Sequence, residues 1–402
     1  MRPVSDLEVL VFNAGSSSLK CARIEPASGR VLDTALAERL GSGSARLDLR
    51  LGSGRQCWEL PGLEHDQALR RILEHFDVSS VAAVGHRVVH GGEAFRRSTR
   101  IDAAVLERIE SLSSLAPLHN PANALGIREG MRLLPDLPQV AVFDTAFHQT
   151  LPPEAFLYAV PYALYEQHGL RRYGFHGSSH RFVAQGAAER LGRSLDSLEL
   201  VTAHLGNGCS ACAIRHGQSL DTTMGLTPLE GLVMGTRSGD VDPNLFTFLA
   251  ERTGSSLEQT ARMLNHESGL LGLSGVDGDM RAVLALEAQQ HTRAHLAVLV
   301  FCHRLAKAIL GLCAGLGRLD ALVFTGGIGE NAARIRELTL ERLSILGLSI
   351  DRGLNAEHGV AAGGRITAPE SRSPAFVVPT NEELIIARDT LACLASPDPN
   401  RS

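Results

Sequence analysis

Residues 8–24 (EVLVFNAGSSSLKCARI) contain the clearest indication of the fold. An apolar run at 8–12 leads into a turn rich in glycine and serine, and the following residues 19–24 predict a second strand after a tight loop. Halfway along the 402-residue chain, residues 200–214 (LVTAHLGNGCSACAI) repeat this pattern. Because the strand–loop–strand unit recurs, the sequence predicts a duplicated fold with one glycine loop in each half.

Apolar and helical segments alternate along the rest of the chain. Apolar runs that end in glycine-rich turns recur at 81–89 and 321–324. Helical patterns lie between such runs, at residues 103–111, 179–191, 256–264 and 282–316. This alternation predicts an α/β protein with sheets covered by helices, and a chain of this length predicts two domains.

Composition and charge exclude several classes of protein. With 44% hydrophobic and 21% charged residues, the composition is typical of a globular protein. The net charge of −5 argues against nucleic acid as a main partner, because nucleic-acid-binding proteins usually carry a basic surface. Residues 1–10 lack the apolar run of a secretory signal. The apolar segment 294–316 contains His303, Arg304 and Lys307, which are costly in a bilayer, so we interpret it as a buried helix. Seven scattered cysteines fit reduced thiols, and we expect a cytoplasmic protein without a membrane partner.

Three glycine-rich loops are candidates for binding phosphate. The first, 13–20 (NAGSSSLK), exposes backbone N–H groups and ends at Lys20, although a plain hairpin turn with a solvated lysine remains an alternative. The second is 204–210 (HLGNGCS), and the third, 325–331 (TGGIGEN), follows an apolar strand and opens a helix. None is a Walker motif. Three such loops at strand ends favour a polyphosphate ligand over three independent turns.

Charged residues also follow the predicted strands. Arg87, Asp144 and Arg237 lie at strand or loop ends, where an arginine beside a glycine pair is directed to a ligand slightly more often than it is structural. Phosphoryl transfer requires positioning, a divalent metal and cations around the transferred group. The two arginines, Lys20 and the glycine loops therefore predict a kinase.

Near the C-terminus, Thr380 and Glu383 have the spacing of a capping box. Glu382 has no such explanation beyond the helix dipole, and we expect it to hold Mg²⁺.

Zinc is not favoured by the sequence. The only close cysteine pair has no second pair beside it, the close histidine pairs lack an H-E-x-x-H pattern, and a kinase binds Mg²⁺ through oxygen ligands; the pairs are Cys209 with Cys212, His86 with His90, and His176 with His180.

Several motifs resemble the signatures of the acetokinase family of acetate and propionate kinases. They are residues 13–20 (NAGSSSLK), 173–180 (YGFHGSSH), 204–208, 234–240 (MGTRSGD), 327–331 and 380–383, in family order. The resemblance implies a duplicated fold similar to actin and the sugar kinases, with two α/β domains and a nucleotide cleft between them. We expect an N-terminal domain at 1–150, joined by a C-terminal helix at 381–402, and a nucleotide-binding domain at 151–380.

The resemblance also implies roles for individual residues. Candidate catalytic residues are Arg87, His119, Asp144, His176 and Arg237. The nucleotide site would comprise Lys20, His204, Leu205, Gly206, Asn207, Gly208, Asp279, Met280, Arg281, Gly327, Ile328, Gly329, Glu330 and Asn331. An apolar pocket for the methyl group of the acid would comprise Val89, Leu118, Phe175 and Pro228, with Arg87 binding the carboxylate. Asn13 and Glu382 would hold Mg²⁺, with Mn²⁺ as an alternative, and the family pattern implies a homodimer.

These residues imply direct in-line transfer of the γ-phosphoryl group of ATP to acetate, giving ADP and acetyl phosphate. A carboxylate is already nucleophilic, so Asp144 would orient rather than deprotonate. Plain core packing remains an alternative for the apolar pocket, and propionate or a longer acid remains an alternative substrate, because a pocket discriminates one methylene by only about 1–3 kcal/mol. The other alternative is an ATPase of the same fold that drives chaperone-like binding or filament assembly. The chain departs from the family pattern at Ser178, Cys209 and Gly326 and most in 277–281.

Overall fold

The computed structural model describes residues 7–52, 54–117 and 119–396. The chain divides into two compact units, Met1–Phe147 with Asn381–Ser402 and His148–Thr380. Each unit contains one mixed β-sheet flanked by helices.

The first unit is built on a sheet of eight strands. Its strands are β1 (Glu8–Gly15), β2 (Ser18–Glu25), β3 (Arg30–Glu38), β4 (Arg46–Leu51), β5 (Gly54–Glu59), β6 (Val81–Val88), β7 (Thr99–Arg100) and β8 (Gln139–Phe143). The order across the sheet is β5-β4-β3-β2-β1-β6-β8-β7. Its helices are α1 (His65–Leu73), α2 (Ala103–Ser111), α3 (Asn120–Leu133) and α15 (Glu382–Ala395).

The last helix of the chain packs on the centre of this sheet. α15 contacts β1, β2, β6 and β8. Gly85 of β6 permits the close approach, because a Cβ at that position would collide with Thr390 and Ile386 of the helix. The buried side chains of Leu384, Ile385 and Ile386 belong to this layer.

The second unit has five strands and more helices. Its strands are β9 (Glu199–Leu205), β10 (Cys209–Arg215), β11 (Gln218–Thr222), β12 (Ala321–Thr325) and β13 (Ala375–Val377), in the order β11-β10-β9-β12-β13. Its helices are α4 (Pro153–Phe156), α5 (Ala163–His168), α6 (Gly177–Leu191), α7 (Leu245–Thr253), α8 (Leu257–His266), α9 (Gly269–Ser274), α10 (Met280–Ala288), α11 (Thr292–Cys313), α12 (Gly326–Asn331), α13 (Ala333–Arg342) and α14 (Arg352–Ala356).

Five strands of the first sheet and the five strands of the second share one topology, which confirms the duplication predicted from the repeated strand–loop–strand unit. β3-β2-β1 in the first unit and β11-β10-β9 in the second are antiparallel neighbours. In each sheet two parallel strands follow, β6 and β8 in the first and β12 and β13 in the second. The α/β class is likewise confirmed.

The expected helix 282–316 is wrong as a single element, because the structure divides it into α10 and α11. The break falls at Gln290, whose backbone is left-handed with φ +63°, and His291 then caps α11 by accepting a hydrogen bond from the Ala294 N–H at 3.2 Å. α11 is long and apolar enough to cross a membrane by length and composition. Nine of its residues are nevertheless buried against the fold, as in the core helix of a globular unit.

Candidate active site

In the first unit, Arg87 and Asp144 form a bidentate ion pair at the ends of neighbouring parallel strands. Arg87 lies near the end of β6 and Asp144 follows β8 directly, so the carboxyl ends of the strands bring them together. Nε of Arg87 donates to Oδ1 of Asp144 at 3.0 Å, and Nη2 donates to Oδ2 at 2.7 Å. This two-point contact fixes the plane of the guanidinium group.

Glu382 is a second carboxylate on the same arginine. Its Oε2 lies 3.6 Å from Nη1 of Arg87, so the prediction that Glu382 has no structural partner was wrong. Burial alone would lower the pKa of Arg87, but the charges of Asp144 and Glu382 and the hydrogen bonds to Asp144 outweigh it and raise that pKa. Arg87 therefore remains a cation at any pH at which the protein is folded.

Two buried asparagines on α3, which the sequence interpretation missed, hold the segment that follows Arg87. Asn120 accepts from the His90 N–H at 3.1 Å and donates to its carbonyl at 2.9 Å. Asn123 accepts from the Val89 N–H at 3.0 Å and donates to the carbonyl of Ala14 at 2.6 Å. In the sequence, their only signal is the polar start of this helix beside Pro121.

The remaining first-unit candidates occupy nearby loops and strands. His119 precedes α3 as its N-cap residue, and Val89 is partly exposed. Leu118 lies outside the described residues. Asn13 and Lys20 face each other in the register of β1 and β2, and Nζ of Lys20 lies 3.4 Å from Glu383.

The capping box expected at the start of α15 is wrong. Asn381 is the N-cap residue, and its side chain accepts from the Leu384 N–H at 3.0 Å. Glu383 instead pairs with Lys20, and Thr380 belongs to the second unit, where its hydroxyl lies 2.9 Å from that of Ser179. Sequence spacing could not separate these partners, because Asn381 and Thr380 are both good N-cap residues.

In the second unit, the second and third glycine loops lie against each other. His204 of β9 pairs in register with Thr325 of β12, so both loops begin at the same edge of the sheet. Gly326 has φ +76°, and a Cβ there would lie 2.7 Å from the carbonyl oxygen of Leu205. This turn requires glycine, and the loop opens α12 as the sequence predicted.

Two further predicted segments join these loops. The Gly235 N–H donates to the carbonyl of Asn207 at 3.0 Å, which attaches the segment carrying Arg237 to the second loop. A Cβ at Gly278 would lie 2.8 Å from the Gly235 carbonyl oxygen, so the start of 277–281 also packs here. The structure therefore brings together four segments that are far apart in the sequence.

Asp279 and Arg281 pair with each other within this last segment. Asp279 caps α10, and hydrogen bonds from the side chain and backbone of Arg281 lower its pKa. Arg281 extends into solvent with its side chain 91% exposed, whereas Met280 is buried. Within the described residues, the side chains of Asp279 and Arg281 are thus paired with each other.

His176 enters the site with a strained backbone. It is the N-cap residue of α6 and has a left-handed backbone, φ +56°, which is uncommon for a non-glycine residue and recurs at functional sites. Its Nδ1 lies 2.9 Å from the hydroxyl of Ser210, and its ring lies 4.3 Å from that of His204. His204 is held in turn by the Ser179 hydroxyl at 2.8 Å.

Arg237 is a partly buried cation without a carboxylate partner in the described part of the chain. Its Nη1 donates to the carbonyl of Pro228 at 2.7 Å, and burial lowers its pKa. A Cβ at Gly208 would lie 3.5 Å from Nη2 of Arg237 and 3.6 Å from Nε2 of His176. A desolvated guanidinium beside glycine backbone and an imidazole is suited to an anion, since a buried charge is costly unless it is paired.

Glu330 organises the third loop through its carboxylate. Oε1 accepts from the Gly326 N–H at 3.0 Å, from the Thr380 N–H at 3.0 Å and from the Thr325 hydroxyl at 3.3 Å. These contacts tie the end of β12, the glycine turn and the end of the second unit together. Asn331 similarly bonds back to the Gly327 carbonyl at 2.9 Å.

Arg336 holds the third glycine loop through hydrogen bonds, and it was not identified from the sequence. It is fully buried, and its Nη1 donates to the carbonyls of Gly329 and Glu330 at 2.9 Å each. Its other nitrogens contact Asn355 and His358, and burial lowers its pKa to about 10. Nothing in its sequence context distinguished it from a surface arginine of an amphipathic helix.

Comparisons with known proteins identify the family of this chain. A model of the acetokinase family matches residues 8–388. The chain belongs to the acetokinase family. The resemblance inferred from the motifs is therefore confirmed over nearly the whole chain.

Relatives in this family match end to end. The chain is 53% identical to an acetate kinase of Ectopseudomonas mendocina, over 97% of this chain and 100% of the relative. The structure is similar to a propionate kinase of Francisella tularensis, with TM-score 0.92 and 43% identity over 96% of this chain and 99% of that one. It is also similar to the Porphyromonas gingivalis acetate kinase, with TM-score 0.90 and 42% identity over 96% and 100% of the two chains.

Proposed function

We propose that this protein is an acetate kinase, which reversibly transfers the γ-phosphoryl group of ATP to acetate and forms acetyl phosphate and ADP. Family membership and full-length relatives with that name support the proposal. The observation that carries it in the structure is Arg237, whose guanidinium is desolvated and has no carboxylate partner among the described residues. It lies beside His176 and the glycine backbone of Gly208, as a phosphoryl group requires.

Arg87 binds the carboxylate of acetate or the acyl phosphate in this proposal. Asp144 accepts hydrogen bonds from Nε and Nη2 of Arg87 and so holds the guanidinium in one orientation. Asp144 therefore acts as an orienting residue, since acetate needs no general base. His119 is a further catalytic residue of the same proposed site. The apolar residues Val89, Leu118, Phe175 and Pro228 receive the methyl group.

His176 and Arg237 stabilise the negative charge on the phosphoryl group during in-line transfer. Both flank Gly208 in the second unit. ATP is bound by glycine-rich backbone, the first loop contributing Lys20 and the second unit contributing 204–208, 279–281 and 327–331. Within the last segment, Oε1 of Glu330 already accepts hydrogen bonds from the Gly326 and Thr380 N–H groups, so Glu330 contributes by holding the loop in place.

Mg²⁺ would be held by Asn13 and Glu382, with Mn²⁺ as an alternative. An amide and a carboxylate supply the hard oxygen donors that Mg²⁺ prefers, and α15 packs on β1, the strand that carries Asn13. No group of three potential His, Cys, Asp or Glu ligands occurs in the described ranges. When bound, the ion neutralises charge on the β- and γ-phosphates.

A cytoplasmic homodimer without nucleic-acid or membrane partners completes the proposal. All seven cysteines are free thiols, as expected in a reducing compartment. None of the residues of α7 is buried although the helix is rich in leucine and phenylalanine, and Phe248 is 56% exposed. An uncovered apolar helix of this kind is typical of a surface that pairs with another subunit.

A direct assay tests the proposed reaction. Purified protein with ATP and Mg²⁺ is given acetate, propionate, butyrate or isobutyrate, ADP is followed by a coupled assay, and acyl phosphate is trapped with hydroxylamine. We expect hydroxamate formation with acetate and a higher KM or lower kcat for longer acids. ADP release without hydroxamate for any acid would instead support an uncoupled ATPase, and a preference for butyrate would support a longer-chain kinase.

A further inference from the structure

A buried series of hydroxyl and imidazole groups ends at His176. Oγ of Ser210 lies 2.9 Å from Nδ1 of His176 and 2.8 Å from Nε2 of His180. Nδ1 of His180 in turn lies 2.7 Å from Oγ1 of Thr202. Thr202, His180 and Ser210 are each 0% exposed, and we refer to these three residues as the relay.

Proton counting gives the relay a direction. In the part of the chain that the structure describes, the Thr202 hydroxyl has Nδ1 of His180 as its only hydrogen-bond partner. A buried hydroxyl proton left without an acceptor costs about 1–3 kcal/mol, so Thr202 donates to His180. Burial, and then the neighbouring His148 and His204, lower the pKa of His180 well below its usual range and keep the ring neutral.

The direction continues from His180 to His176. A neutral His180 that accepts at Nδ1 carries its proton on Nε2 and donates it to Oγ of Ser210. The hydroxyl proton of Ser210 is then directed at Nδ1 of His176. A proton on that Nδ1 would face the Ser210 proton, so the relay disfavours both the imidazolium and the Nδ1–H tautomer.

We propose that Thr202, His180 and Ser210 are positioning residues that hold His176 as a neutral Nε2–H donor to the transferred phosphoryl group. Nε2 is the nitrogen on the side of Gly208, where Nη2 of Arg237 also lies. His176 therefore supplies a fixed hydrogen bond, while Arg237 supplies the positive charge. This inference rests on the proposed phosphoryl transfer for its functional meaning, but the tautomer itself does not depend on activity.

His148 provides a matched control within the same unit. Its Nε2 donates to the Phe175 carbonyl at 2.9 Å, so its Nδ1 accepts from the hydroxyl of Ser219 at 2.8 Å. Ser219→Ala thus removes a buried serine–histidine hydrogen bond, together with the 3.3 Å contact between Ser219 and the Cys212 thiol, and it leaves all three hydrogen bonds of the relay in place.

The tautomer of His176 is measured by ¹⁵N NMR on the full-length protein labelled in histidine, with the His176 signals identified by their loss in His176→Gln. We expect an unprotonated Nδ1 and a protonated Nε2 at neutral pH. Thr202→Val, which keeps the shape but removes the hydroxyl, should shift His176 towards a mixture of tautomers, while Thr202→Ser and Ser219→Ala should not. An imidazolium or an Nδ1–H tautomer in the wild type would overturn the proposal.

Steady-state kinetics of the same variants tests the effect of the relay on kcat. Thr202→Val should lower kcat about tenfold with little change in either KM, because one transition-state hydrogen bond is weakened. Thr202→Ser should restore kcat, and Ser219→Ala should retain it. An unchanged kcat and an unchanged tautomer in Thr202→Val would reject the relay. Absence of acyl phosphate from the wild type would reject the proposed function instead, whatever the tautomer.

Discussion

The guanidinium of Arg87 and the carboxylate of Asp144 make two parallel hydrogen bonds, of 3.0 and 2.7 Å, across neighbouring parallel strands. The two residues are far apart in the sequence, yet each stands where its strand ends. The pair makes Asp144 the residue that aims Arg87, and Glu382 adds a second carboxylate at 3.6 Å.

Asp144→Asn should lower kcat/KM for acetate roughly 10²-fold, because an amide accepts only one of the two bonds and leaves the arginine free to turn. The measurement is steady-state kinetics with acetate varied at saturating ATP. Glu110→Gln, which removes one partner of the exposed Glu110–Arg128 pair of the same unit, is the control and should change kcat/KM less than about twofold. Near-wild-type activity in Asp144→Asn would contradict the orienting role.

Arg237→Met should lower kcat by roughly 10³-fold while the free energy of unfolding is unchanged or increases. The reason is that the wild-type side chain is a desolvated cation that, among the described residues, bonds to the Pro228 carbonyl alone, so the folded protein gains little from it without a ligand. Urea unfolding and the hydroxamate assay are run on the same preparation. A variant that unfolds more easily and keeps its turnover would show that Arg237 is structural.

Arg336→Met should destabilise the protein by about 3–5 kcal/mol and raise the KM for ATP, because it leaves the carbonyls of Gly329 and Glu330 without their donor. Urea unfolding gives the first quantity and ATP titration gives the second. Arg342→Met on the same helix is the control, since it removes a single bond to the Leu338 carbonyl and should cost only about 1 kcal/mol. Equal losses in both variants would argue against a special role for Arg336.

Glu330→Gln should retain most activity, whereas Glu330→Ala should raise the KM for ATP about tenfold. Glutamine keeps an oxygen that can accept from Gly326 and Thr380, while alanine leaves both N–H groups without an acceptor. Initial rates at varied ATP distinguish the two. Equal impairment by both substitutions would indicate that the negative charge itself is required at the nucleotide.

Two buried histidines should make stability fall in acid. Burial lowers the pKa of His86 and His148 to about 4, while the unfolded chain titrates near its ordinary value of about 6.5. Each therefore contributes stability that is complete above about pH 6.5 and is lost as the pH falls towards 4, up to roughly 3 kcal/mol per residue. Urea unfolding at pH 7.5 and pH 5.0 measures the loss of unfolding free energy between the two pH values. His86→Leu should make this loss smaller than in the wild type. An equal or larger loss in the variant would refute the assignment.

The α/β class, the duplication, the glycine loops and the family could all be predicted from the sequence. These follow from local signals, because strand periodicity, glycine-rich turns and the YGFHGSSH and MGTRSGD motifs are each contained in a short window of residues. The candidate residues at strand ends, Arg87 and Asp144, could be identified in the same way.

The partners of those residues became known from the three-dimensional structure. Whether Glu382 is free or paired with Arg87, whether Thr380 caps α15 or bonds to Ser179, and whether 282–316 is one helix or two depend on contacts distant in sequence or on a single left-handed residue. Arg336 looks like any helical arginine until the fold surrounds it with carbonyls. Hydrogen bonds and desolvation act through space, so a pattern along the chain cannot specify which donor meets which acceptor.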